Sequence, residues 1–191
     1  MAGNLVQNCG FENGTLADWA TNAHSGSVSV TGSFVNSGNE AGLLNASGNF
    51  GSAEADSTDF FLKSGVTYTV SFYAEQVSSI HGDGSLTVQV DDQFANPLND
   101  GVCMGDPSQC DAAPTSFARE SFQVTGNGAK DYLDVFLASD AKNQVTQWAV
   151  DDFSVVPLPV PEPSSWALFA AGLIAAGWFG FLHRRNSPAG S

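Results

Sequence analysis

Residues 66–75 alternate without a break: Val66, Tyr68, Val70, Phe72 and Ala74 share one face, and Thr67, Thr69, Ser71, Tyr73 and Glu75 share the other. A period of two is the geometry of a strand, and β-branched and aromatic residues suit a pleated, half-buried surface. Leu86, Val88 and Val90 alternate in the same way with Thr87, Gln89 and Asp91, and Leu133, Val135 and Leu137 turn inward with Asp134 outward. Val28 and Val30 mark a further half-buried strand, and a last one is expected over residues 148–156. Each such strand has one apolar face, which must be covered by a second layer.

The segments between are turn-rich. A short strand is expected to begin at Leu5 and Val6 and to bend at Asn13-Gly14, and His81-Gly82-Asp83-Gly84 supplies another turn. Residues 35–59 are small and polar, with Leu43, Leu44, Phe50 and Ala53 as their packing candidates, before a strand at Phe60, Phe61 and Leu62. Residues 93–115 read as a long loop. Phe117 and Phe122 have opposite parity ahead of Val124, which implies a bulge or two short pieces. Eight or nine short strands without a helical pattern predict an all-β sandwich over residues 4–156, with a barrel as the other closed arrangement.

About 160 residues are enough for one domain with a substantial core. Residues 1–160 carry nineteen acidic and four basic side chains. That surface repels phosphate and offers no basic stripe, which argues against nucleic-acid binding. The excess acid is either a solvated face or a source of calcium ligands. Cys103 and Cys110 bracket a turn-rich insert that a disulfide closes in an oxidising compartment. Three pairings exist on paper; short separation favours Cys103 with Cys110, leaving Cys9 buried, reactive or paired between chains.

The last thirty residues are of another kind. Residues 157–165 form a stiff, proline-rich linker, residues 166–182 an unbroken apolar run, and residues 183–191 a short tail that opens on His183, Arg184 and Arg185. As a helix the run spans about 26 Å, slightly less than a hydrocarbon core of about 30 Å, so flanking residues complete the crossing. Arg184 and Arg185 would stop transfer. Pro161-Glu162-Pro163, the apolar helix and the arginine pair, in that order, resemble the PEP-CTERM sorting signal of Gram-negative bacteria. The resemblance implies export, transient anchoring in the inner membrane, recognition of Pro161, Glu162 and Pro163 by an exosortase, and release to the cell surface or extracellular matrix. Export also requires an amino-terminal signal. Residues 1–8 lack a basic region followed by an apolar one, so the natural start is expected upstream of Met1.

Two end segments carry a second resemblance. Residues 4–12, with Phe11 and Glu12 followed by Trp19, and residues 148–155, with Trp148, Asp151 and Asp152, resemble galactose-binding-like jelly rolls, including many carbohydrate-binding modules. The resemblance implies that the first and last strands lie close and that Glu12 and one of Asp151 and Asp152 help hold a structural calcium; Cys9 stands where that family commonly has glycine. The residue chemistry agrees, since calcium takes several hard oxygen ligands. On a regular strand Asp151 and Asp152 would point to opposite faces, leaving one as a ligand. A carboxylate at the sheet rim accepting backbone hydrogen bonds is the other reading.

Trp19, Tyr73, Tyr132 and Trp148 are candidates for stacking on a sugar ring, with core packing the competing role for the two tryptophans. Tyr73 is the better surface candidate because its strand face is polar. No catalytic residues are assigned. The three histidines are scattered, and there is no nucleophile elbow, zinc motif or phosphate-binding loop. Two functions follow from the sequence: an exported sandwich that binds extracellular polysaccharide, and a structural or adhesive matrix protein of the same fold without a saccharide pocket.

Overall fold

In a computed structural model, residues 3–80, 84–98, 101–106, 108–139 and 144–159 are described. The chain divides into two units, Met1–Leu158 and Pro159–Ser191. The sorting residues Pro161, Glu162 and Pro163, the run over 166–182 and Arg184 and Arg185 lie outside the described residues. Among those described, no helix is long and apolar enough to cross a membrane.

The first unit is two antiparallel sheets face to face. Its strands are β1 (Trp19–His24), β2 (Gly26–Thr31), β3 (Ala41–Ser47), β4 (Gly51–Ser57), β5 (Phe60–Phe61), β6 (Thr67–Ile80), β7 (Ser85–Asp92), β8 (Val102–Met104), β9 (Ala118–Thr125), β10 (Lys130–Ser139) and β11 (Val145–Pro157). One sheet has the order β1-β4-β10-β7-β8, with β5 also paired to β10; the other has the order β2-β3-β11-β6-β9. Neighbours within each sheet are largely non-consecutive in sequence, which is the jelly-roll connection expected from the end segments.

The inward residues are the predicted ones on the strongly alternating strands. Val70, Phe72 and Ala74 of β6, Leu86, Val88 and Val90 of β7, and Leu133, Val135 and Leu137 of β10 are fully buried. Phe11, Trp19, Phe72 and Phe153 form an aromatic cluster in that core, with Trp19 and Phe153 5.2 Å apart between ring centroids and Phe72 and Phe153 5.6 Å apart.

Several expectations need correction. The segment at Leu5 and Val6 is not a strand, although the Leu5 N–H donates to the Val155 carbonyl at 3.1 Å and the Asn4 side chain bonds both Phe153 and Val155. Residues 35–59 hold two strands, β3 and β4. The inward positions of β4 are Gly51, Ala53, Ala55 and Ser57, whose small side chains give only a weak apolar period. Phe50 does not pack but is 74% exposed in the turn between them. Phe117 precedes β9, whose register with β6 is continuous, so no bulge is needed there. The bulges are in the β11–β6 pairing instead.

Candidate functional site

The bulge in β11 decides where the carboxylates of the chain ends point. Asp151 pairs with Tyr73 and Ser154 with Ser71, so β11 holds one extra residue, and Asp152 takes a positive φ of 52°. Trp148 and Val150 before it and Phe153 and Val155 after it therefore all face the core, despite their different parity. Asp151 and Asp152 do not point to opposite faces, as a regular strand would require. Both turn to the loop before β3. Asn36 and Ser37 donate their backbone N–H groups to Asp151 Oδ2 at 3.0 and 3.1 Å, while the Asn36 amide and the Ser37 hydroxyl donate to Asp152 at 2.8 Å each.

Glu12 joins the same loop from the other side. The Asn39 N–H donates to both its carboxylate oxygens at 3.1 and 3.0 Å, and the Glu40 N–H donates at 3.2 Å. Two of the carboxylates border Gly10, where a Cβ would lie 3.3 Å from Asp151 Oδ1 and 3.5 Å from Asp152 Oδ1; the Glu12 carboxylate lies against Gly38 instead. Burial holds the Asp151 carboxyl above the usual carboxylate range, against the N–H groups of Ser37, Asp152 and Asn36. These hard oxygens suit a cation such as calcium in donor type, and each of the six already accepts an N–H or O–H group, as carboxylates at a sheet rim do.

A second acidic group was not foreseen. The outer face of the first sheet is built in cross-strand rows. One row is Asn22, Glu54, Phe136, Thr87 and Cys103; the next is Ala20, Asp56, Asp134 and Gln89; Tyr132 stands opposite Asp91 beyond it. Glu54, Asp56 and Asp134 each bring one oxygen within 4.8 Å of the others, and this is the one such trio of metal-ligating side chains among the described residues. Burial first, then repulsion from neighbouring carboxylates, pushes Asp56 up to about 6 and Asp134 up to about 7. The Tyr132 hydroxyl rises to about 12, mainly by burial, with Asp91, Asp56, Asp134 and Glu54 adding to it. At the rim, Asp18, Trp19, Ala20, Ser57, Thr58 and Asp59 line a shallow depression of about 620 Å³.

Burial corrects two of the four stacking candidates. Trp148 is fully buried and Trp19 nearly so, and the Trp19 indole N–H donates to the Asn8 carbonyl at 3.2 Å, so neither shows a ring face to solvent. Tyr73 and Tyr132 are half-buried on the outer faces of different sheets. Phe136 is the outward aromatic that the sequence reading passed over. Its signal was plain parity, since it alternates with the inward Leu133, Val135 and Leu137. Cys103 and Cys110 form a disulfide with Cα atoms 5.0 Å apart, and Cys9 is a free, half-buried thiol.

Comparison with known proteins agrees with this architecture. A family model described as a carbohydrate binding domain matches residues 3–141, and one described as the PEP-CTERM protein-sorting motif matches residues 159–185. No curated protein matches the chain. Among solved structures, TmCBM61 in complex with beta-1,4-galactotriose superposes with a TM-score of 0.62 at 17% identity, covering 82% of this chain and all of its own. The CBM22-1 xylan-binding domain from Paenibacillus barcinonensis Xyn10C has a TM-score of 0.54 at 17% identity, covering 83% of this chain and 97% of its own. A Family 16 Carbohydrate Binding Module-2 has a TM-score of 0.53 at 19% identity, covering 80% of this chain and 99% of its own. The fold is that of carbohydrate-binding jelly rolls, and the sorting motif points to export and sorting at the cell envelope.

Proposed function

We propose, from the premise that this chain belongs to the carbohydrate binding domain family, that it is a non-catalytic surface protein which binds polysaccharide on the outer face of its first sheet. The observation that carries this is the strip on β10. Tyr132 and Phe136 stand two positions either side of Asp134, with Asn22, Glu54 and Asp56 on one flank and Thr87, Gln89 and Asp91 on the other. Half-exposed aromatic rings offer an apolar plane to a sugar, and carboxylates and amides on both sides accept and donate to its hydroxyls. Tyr73, on the other sheet, faces Arg119 and Asp151 across the strands and lacks a second ring beside it on β6.

The full chain in detergent micelles, with immobilised beta-1,4-galactan, xylan and the producing cell's extracellular polysaccharide as probes, tests the reading. At least one probe is expected to retain the protein, and Tyr132→Ala and Phe136→Ala are each expected to weaken retention about tenfold or more, equivalent to about 1.4 kcal/mol. Retention unchanged in both variants would move the binding face elsewhere. Self-association with no retention would favour the adhesive matrix protein instead, a reading motivated by Phe50 and Phe94, each 74% exposed.

Structural calcium belongs to the same proposal. Glu12, Asp151 and Asp152, which all bond to the loop over residues 36–40, would hold it there by drawing together, and the ion would tie the chain ends to that loop. Chelation is expected to lower the melting temperature, calcium to restore it, and Glu12→Ala to shrink the difference. A melting curve indifferent to chelator in the parent would exclude the ion. Delivery follows the sorting motif: exosortase recognition at Pro161-Glu162-Pro163 and transient anchoring through residues 166–182, with Arg184 and Arg185 holding the cytoplasmic side.

A further inference from the structure

The row Asp56, Asp134 and Gln89 places two carboxylates directly opposite one another on adjacent strands, an arrangement that costs stability unless something lies between them. Glu54, two residues from Asp56 on the same face, adds a third. Among the described residues no cation answers them: the one ion pair there is Lys130 with Asp59, at 3.4 Å and solvent-exposed. Gln89 is their visible donor: its amide reaches Asp134 Oδ2 at 3.2 Å and also bonds Asp91.

A separate observation comes from Asp91, which lies outside the trio. It is only 4% exposed, its Oδ1 has no hydrogen-bond partner, and its charge is felt by both Asp56 and Asp134. Oδ1 of Asp134, itself 8% exposed, and Oδ1 of Asp56 are likewise buried and unpartnered. Buried carboxylate oxygens ordinarily find a partner, because leaving one unmade is expensive. Here three orphaned oxygens come from three adjacent strands on one acidic face, those of Asp56 and Asp134 in one cross-strand row and that of Asp91 in a neighbouring one.

We propose that Glu54, Asp56 and Asp134, with Asp91 behind them, form a divalent-cation site on the outer face of the first sheet, taking calcium and distinct from the site at the chain ends. The donors are all hard oxygens, with no sulfur or imidazole, which selects calcium over zinc or copper. Asp134 and Asp91 are fixed by burial and by Gln89, whereas Glu54 and Asp56 sit half-exposed on the solvent side, so the ion would enter from solvent. The proposal does not depend on sugar binding.

The test uses calcium chloride alone as the probe, on the full chain in detergent micelles, with Asp134→Asn, Glu54→Gln and Glu12→Gln as variants. Calorimetric titration is expected to show a calcium site that Asp134→Asn and Glu54→Gln each weaken tenfold or more and Glu12→Gln leaves within twofold. Melting supplies a second sign. In chelator, Asp134→Asn removes repulsion and is expected to melt above the parent; in millimolar calcium the order is expected to reverse. Should Asp134→Asn fail to fold, Glu54→Gln, on the solvent side, carries the test. Parent-like calcium affinity in the variants tested, or calcium binding lost only in Glu12→Gln, would overturn the site.

Discussion

Asp131 shows how one buried side chain sets a pH dependence. It is fully buried at the end of the first sheet; the Asn127 amide donates to Oδ1 at 2.8 Å, while Oδ2 has no partner. Burial holds its carboxyl above the ordinary range, opposed by bonds from Asn127 and the Leu62 backbone, with the Asp92 charge adding to the rise. A raised carboxyl pKa in the folded state means the fold prefers the protonated form. Its contribution is complete below the unfolded value of about 3.9 and is lost as pH rises through the folded one. Asp131→Asn is therefore expected to melt with the parent near pH 4 and roughly 2–4 °C above it at pH 8, as about 1 kcal/mol would give in a chain of this size. Thermal denaturation of both proteins at the two pH values checks it; an equal gap at both would assign the effect to packing rather than charge. At this scale the sequence was half legible. Glu12, Asp151 and Asp152 were singled out because they lie in patterned end segments, and the fold does bring them to one loop, whereas Glu54 and Asp56 were passed over with the strand that carries them.

Strands were readable in proportion to the size of their inward side chains. β6, β7 and β10 announce themselves through Tyr68, Val70, Phe72, Leu86, Val88, Leu133 and Val135, but β4 turns only Gly51, Ala53, Ala55 and Ser57 inward. Its alternation of Ala53 and Ala55 with Glu54 and Asp56 is present in the sequence but short and carried by small side chains. β11 was legible from Trp148 onward, though it begins at Val145, and its register was not read. The change from even inward positions at Trp148 and Val150 to odd ones at Phe153 and Val155 was visible in the sequence, and only an inserted residue reconciles it. That gives a test at the level of the strand. Deleting Asp152 alone removes the extra residue and leaves Trp148, Val150, Phe153 and Val155 on one face, whereas deleting Asp151 and Asp152 together turns Phe153 and Val155 outward. Loss of a buried Phe costs about 3–5 kcal/mol, so the pair would consume most of a typical stability of about 5–15 kcal/mol, and the double deletion is expected not to fold cooperatively. Asp152→Gly keeps the residue count and suits the positive φ, sacrificing the bonds to Asn36 and Ser37, for a loss of about 1–2 kcal/mol. Urea unfolding separates the two. A double-deletion variant with native-like stability would mean that the bulge does not set the register.

For the whole molecule the governing quantity is charge. The chain carries twenty acidic and six basic side chains, and two of the basic ones, Arg184 and Arg185, lie in the tail. Repulsion among the acids is long-ranged in dilute buffer, with a screening length of about 30 Å at 0.01 M salt, comparable to a small domain, and of about 8 Å at 0.15 M. Raising sodium chloride across that range in chelator is therefore expected to raise the melting temperature by about 3–6 °C, and potassium chloride to act identically, because screening depends on ionic strength and not on the ion. Calcium chloride at matched ionic strength should add a further rise if ions are bound at fixed positions. The two effects separate by mutation. Asp134→Asn removes one charge of many and should leave the sodium slope nearly unchanged while reducing the calcium excess. Equal curves in sodium and calcium would show that the acidic surface acts only as a diffuse field. A flat sodium curve with a calcium rise would show the opposite, that its charges matter only where the sandwich gathers them, at the chain ends and on the outer face of the first sheet.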